Sequence, residues 1–264
     1  MGYSELVEAG VERIYREDYK SQQHYITEIC QSVRNMEPEI LFKARAFFVP
    51  NEDYLKFFFA PEVTSNEYDF YNIYGECQWV GRLALPITNA VDKICGLAAF
   101  DAFRYLEAHE QNDWAMNYYY YSSKRIFDKG CYLYGLPGVY KEALNKGYLI
   151  LTDGVFDAIS FAKEGYLAMA ALGSIVTDAM AAQLRFIDRV IVAVDNDDAG
   201  IAFYEKLHKV LNNVVLFTQN VTKDADDIIK SEYKMDYLRE LDKCITNEIF
   251  IPMRYRRHFL TKNT

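Results

Sequence analysis

Three groups of carboxylates stand just beyond runs of apolar residues: Asp153 and Asp157 after YLILT (148–152), Asp195 and Asp197 after VIVAV (190–194), and Asp224 and Asp226 in KDADD, a short loop after VVLFT (214–218). Each apolar run reads as a strand, so three strand ends deliver acids to one sheet edge. Like charges within a few ångströms repel and raise one another's pKa, and divalent cations resolve that crowding. Oxygen donors with no His or Cys nearby select hard ions, Mg²⁺ or Mn²⁺. Two such ions at about 4 Å activate a nucleophile and hold a phosphate with its leaving group, which is two-metal phosphoryl chemistry. Asp also commonly caps the helix that follows a strand. Asp198 and Asp227 fall in that capping or solvated class, and Asp157 orients the loop or a water, or serves as a cap. Gly154 and Gly200 permit tight turns and close approach of phosphate.

These acids need a scaffold, and from residue 148 the pattern supplies one. YLILT, LAMAAL (167–172), RVIVAV (189–194) and VVLFT alternate with helical stretches VFDAISFAKEG (155–165), TDAMAAQLRF (177–186) and AGIAFYEKLHKVL (199–211). Continuous apolar strands separated by helices of about ten residues predict a parallel sheet covered on both faces. Ligands of such sheets bind at the carboxyl ends of the strands. Residues 226–245 read as helix, and the end, IPMRYRRHFLTKNT, carries four Lys or Arg and no acid.

Upstream, residues 4–34 show apolar residues at helical spacing and read as two helices. Residues 44–97 change to aromatic and β-branched clusters broken by Pro and Gly, a region of short strands. Between 121 and 150, Lys124, Arg125, Lys129, Lys141 and Lys146 oppose only Asp128 and Glu142. In a chain of net charge −9 this local reversal marks a candidate groove for a nucleic-acid backbone. The overall charge argues against indiscriminate nucleic-acid binding over the whole surface. Five scattered cysteines with no C-x-x-C pair and no His at zinc spacing predict free thiols and no zinc in this chain. No leader pattern and no long apolar run occurs, so a cytosolic protein without a membrane partner is expected.

The acidic motifs resemble the Toprim domain, the metal-binding fold shared by bacterial DnaG-type primases, type IA and II topoisomerases, and some nucleases and recombination proteins. That family's pattern of an acid with G-x-x-D, then D-x-D-x-A-G, then D-x-D appears as Asp153-Gly-Val-Phe-Asp157, Asp195-Asn-Asp197-Asp-Ala-Gly200 and Asp224-Ala-Asp226. Upstream segments are similar to those of the primases: RLALPI from Arg82, KICGL from Lys93, and FDKGCYLYGL from Phe127 to Leu136, about fifteen residues before a Toprim strand. The likeness spans residues 75–235. It departs at the first acid, Asp153 where the family has Glu, one methylene longer. It departs again after Gly96-Leu97, where the family's Arg is absent and replacement by Arg104 is left open.

The resemblance implies an α/β fold: an α+β N-terminal primase-core subdomain over 1–146, a Toprim Rossmann-like parallel sheet with helices on both faces over 147–235, and a C-terminal helix and basic tail over 236–264. It implies a DNA primase catalytic core, a DNA-directed RNA polymerase of the primase type from a phage or mobile element. Such a core joins ribonucleotides on single-stranded DNA with Mg²⁺ or Mn²⁺. By the same resemblance Asp153, Asp195 and Asp197 are catalytic, and Asp153, Asp195, Asp197, Asp224 and Asp226 hold the ions. Lys129, Lys124, Arg125 and Arg82 bind template or triphosphate, with a surface lysine and a salt bridge as the plain alternatives for Lys129 and Arg82. Tyr118 to Tyr121 either stack bases or divide between core and surface. The zinc module that precedes such cores, absent from this chain, is supplied by another chain or dispensed with, and a replicative helicase is a further partner. The other functions compatible with these residues are a Toprim nuclease using the same acids, and an inactive replisome DNA-binding adaptor, suggested by Asp153.

Overall fold

In the N-terminal half, apolar residues at helical spacing form α1 (Tyr3–Glu17) and α2 (Tyr19–Ile29). The computed structural model describes residues 3–30, 37–61, 63, 77–111, 119–121, 127–173, 175–195, 197–217 and 225–246. The chain divides into two units, Met1–Lys129 and Gly130–Thr264.

The first unit continues with α3 (Pro38–Lys43), β1 (Phe47–Val49), α4 (Glu52–Phe58), β2 (Arg82–Thr88), β3 (Ile94–Phe100), α5 (Ala102–Gln111) and β4 (Tyr119–Tyr121). Its four strands pair antiparallel in the order β1-β2-β3-β4. Val7, Val11 and Ile14 of α1 bury against Phe47, Val49, Leu97 and Ala99, so one face of this sheet is covered by the helical start of the chain. Gly96 on β3 lies under the Phe127 ring, where a Cβ would come within 2.5 Å of the ring carbons. That contact joins two of the segments that carry the primase likeness.

The second unit holds a one-turn helix (Lys129–Cys131, its first residue in the preceding unit), β5 (Leu133–Gly135), α6 (Val139–Lys146), β6 (Tyr148–Thr152), α7 (Val155–Lys163), β7 (Ala168–Ala171), α8 (Asp178–Leu184), β8 (Arg189–Ala193), α9 (Asp198–Val210), β9 (Val214–Phe217), α10 (Ala225–Ile229) and α11 (Lys234–Ile245). Strand order is β5-β7-β6-β8-β9. Four strands are parallel, as the continuous apolar runs predict, and the fold is the mixed α/β arrangement expected. The sheet also gains an antiparallel edge, because β5 pairs with β7. Thr177 ties this edge segment to α8: its hydroxyl accepts the Met180 N–H at 3.1 Å and donates to the Gly130 carbonyl. The Gln183 side chain adds a bond to the Cys131 carbonyl at 2.8 Å. The single helix predicted over 226–245 is two helices. Ser231 interrupts it, donating through its hydroxyl to the Ile228 carbonyl and accepting the Tyr233 N–H.

Candidate metal and nucleotide site

β6 and β8 are neighbours in parallel register, Leu151 opposite Val192, so Asp153 and Asp195 leave the sheet at the same carboxyl edge. Asp153 is exposed in the turn after β6. That turn is held from inside by Thr152, fully buried, whose hydroxyl donates to the Gly154 carbonyl at 2.8 Å. Asp195 is half-buried beyond β8. Its carbonyl accepts the Asp197 N–H at 2.8 Å and lies where a Cβ on Gly200 would approach to 2.3 Å. The D-x-D-x-A-G run is therefore one tight turn in which glycine is a steric requirement. Asp197 accepts the Gly200 N–H at 2.9 Å and caps α9, so one oxygen of this acid is engaged by the helix. Asp198 is exposed in the first turn, where the helix dipole favours a negative charge.

The remaining acids have other surroundings. Asp157, 7% exposed in the first turn of α7, accepts the Asp226 backbone N–H through Oδ1 at 2.9 Å. Its Oδ2 lies so close to Gly154 that a Cβ there would come within 2.1 Å. Asp226, expected as an ion ligand, is 1% exposed and engaged through both oxygens. Oδ1 accepts the Ser160 hydroxyl, and Oδ2 pairs with Lys230 Nζ at 2.6 Å. Asp227 is exposed. Asp224 lies outside the described residues.

Among the described residues, no three His, Cys, Asp or Glu side chains gather closely enough to hold an ion. Asp153 and Asp195, oxygen donors on adjacent strand ends, still suit a hard cation. Mg²⁺ is commonly bound by only one or two carboxylates, with waters and substrate phosphates completing its shell. None of the five cysteines is in a disulfide, and burial pushes the thiols of Cys95 up to about 12 and Cys244 up to about 11, which favours the protonated form.

The basic residues divide. Lys129 is exposed at the start of its one-turn helix. Lys124 and Arg125 lie outside the described residues, as do Tyr118 and the basic tail. Tyr119 to Tyr121 form β4. Arg82 is largely buried and its Nε pairs with Asp101 at 3.2 Å, the salt-bridge alternative for this residue. Asp101 also accepts the Arg104 backbone N–H at 3.1 Å and sits 4.0 Å from the Arg104 side chain, so one acid organises both arginines. Three residues around these groups carry no motif that points to them as functional. Lys230 was legible only as an i,i+4 partner of Asp226. Ser160 and Asp101 gave no sign, since their partners are set by packing.

Residues 150–229 match the Toprim-like family. The DNA primase of Thermotoga maritima is 31% identical over 133 residues, 48% of this chain and 24% of that protein. The chain spans about a quarter of the length of the curated relatives it matches. A crystal structure of a DNA primase domain from Pseudomonas aeruginosa superposes with a TM-score of 0.69 at 18% identity, covering 91% of this chain and 78% of that one. A DnaG primase catalytic domain bound to single-stranded DNA gives 0.67 at 20% identity, over 91% and 80%. These two likenesses are of fold.

Proposed function

We propose, from the premise that this chain carries a Toprim-like domain within the fold of a DnaG-type primase catalytic core, that it synthesises short RNA primers on single-stranded DNA. The observation that carries the reading is the pair of acidic turns at the ends of adjacent parallel strands, in a chain that also holds the FDKGCYLYGL segment. Nucleases share the acids and have no need of that segment.

In this reading a primer 3′-hydroxyl attacks the α-phosphate of a nucleoside triphosphate and pyrophosphate leaves. Mg²⁺ or Mn²⁺, when bound, supplies charge neutralisation at the phosphate and acidifies the attacking hydroxyl. Asp153 and Asp195 would hold it, and Asp197 and Asp224 are the further acids that the motifs offer. In this reading Asp153 also serves as general base; it is exposed, and one methylene shorter than the family's Glu. Lys129, with Lys124 and Arg125, neutralises phosphates of template or triphosphate, because transfer between two anionic partners requires fixed positive charge. Arg82 acts indirectly, through Asp101, which sets the more exposed Arg104. In this reading template DNA and nucleoside triphosphates are the substrates, a replicative helicase is a partner, and the cytoplasm is the site of action. No helix among the described residues is long and apolar enough to cross a membrane.

The test is incubation of purified protein with single-stranded template, labelled nucleoside triphosphates and Mn²⁺, beside an Asp195→Ala control. The reading expects RNA from the wild type and a loss of at least about a hundredfold in the control. DNA shortened without nucleotides would identify a nuclease instead, and inert protein indistinguishable from the control would identify an adaptor.

A further inference from the structure

Among the described residues of the Toprim-like unit, a polar cluster draws its members from α7, from α10, which packs on it, and from Lys230 just past the end of α10. Asp226 sits at its centre. Ser160, 66 residues away in sequence, donates its hydroxyl to Oδ1, and Lys230, one turn further along, pairs with Oδ2 at 2.6 Å. The Asp226 backbone N–H goes to Asp157 at 2.9 Å, and the other oxygen of Asp157 lies beneath the Gly154 backbone. A chain of contacts therefore runs from Lys230 through Asp226 and Asp157 to the turn that presents Asp153.

We propose that Asp226 is a positioning residue and not an ion ligand, and that Ser160, Asp157, Asp226 and Lys230 form a clamp setting the geometry of the Asp153 turn. The inference rests on the reading of that edge as a divalent-cation site. Its physical basis is that a carboxylate 1% exposed, hydrogen-bonded at one oxygen and ion-paired at the other, is already compensated. To bind an ion it would have to surrender the Lys230 ion pair, and the ammonium, on a side chain 23% exposed, would stand against the cation at a carboxylate that water hardly reaches. Fixing Asp226 instead fixes the start of α10, and through Asp157 the loop at Gly154, which is how outer partners orient the groups that hold a metal.

The two roles predict opposite signs for one substitution. If Asp226 were a ligand, Lys230 would compete with the cation, and Lys230→Met would tighten Mn²⁺ binding. If the cluster is a clamp, Lys230→Met weakens Mn²⁺ binding by about tenfold. Lys230→Arg, which keeps the ion pair, restores most of the loss. In the same account Asp226→Asn combined with Lys230→Met is no worse than Lys230→Met alone, because both disable one unit.

Mn²⁺ affinity of the purified full chain is read by electron paramagnetic resonance of the free ion. Amide hydrogen exchange of residues 152–157 is read on the same samples without metal. The clamp predicts faster exchange there in Lys230→Met and in Ser160→Ala, with β8 unchanged. Tighter Mn²⁺ binding in Lys230→Met, or unchanged exchange at 152–157 in both variants, overturns the proposal. A wild type that binds no Mn²⁺ overturns the cation-site reading and the positioning role with it, while the exchange data still show whether the contacts act as one unit.

Discussion

Asp195 and Asp197 are two residues apart and do different work. Asp195 contributes a carbonyl to the turn and directs its carboxylate from a half-buried position, whereas Asp197 closes the first turn of α9 by accepting the Gly200 N–H. Lys129, exposed and on no regular secondary element longer than one turn, is suited to an adaptable phosphate interaction. Replacing it with Ala should lower affinity for single-stranded DNA at every sequence alike. The slope of log affinity against log salt should fall by about 0.7, the value for one neutralised phosphate on a single strand. Fluorescence anisotropy with a labelled oligonucleotide over a salt series measures it. An unchanged slope would return Lys129 to the role of a solvated lysine. At this scale the acids and their order were legible because spacing alone carries them. The partners of Asp226 and Arg82 were not, since Ser160 and Asp101 meet them only through folding.

The strand-to-helix turn is the element on which the site depends. At the Asp197 cap, shape and charge separate: Asn caps as well as Asp, whereas Ala costs about 1 kcal/mol. Asp197→Asn should therefore melt with the wild type and bind Mn²⁺ more weakly, while Asp197→Ala should lose both stability and binding. Paired calorimetric melts and Mn²⁺ titrations distinguish them, and equal Mn²⁺ affinity in wild type and Asp197→Asn would confine Asp197 to capping. Apolar strands and helical spacing made β6 to β9 legible nearly residue by residue. α4 was hidden in an aromatic stretch that reads as strand. Asn51 decides it, accepting the Tyr54 N–H at 2.9 Å, with Glu52 and Asp53 in the first turn. Three-residue β5 carries too little pattern to show which way it pairs; it lies antiparallel on β7, and the segment before it is anchored to Thr177 and Gln183.

For the whole molecule, the sheet order β5-β7-β6-β8-β9 turns sequence motifs into a place. β6 and β8 are separated in the chain by β7 and two helices, yet they are adjacent in the sheet, and that adjacency sets the Asp153 and Asp195 turns side by side on the carboxyl edge. Alternation of strand and helix predicted the parallel class. It did not predict the order, because several orders satisfy the same pattern. The central claim is that this edge holds a divalent cation against nucleotide phosphate. Anomalous diffraction from a crystal grown with Mn²⁺ and a nucleoside triphosphate tests it directly. The account predicts a peak shared by Asp153 and Asp195 with phosphate oxygens about 2 Å from it, and none at Asp226. A crystal with ordered triphosphate and no peak at either strand end, or with a peak on Asp226, would contradict it.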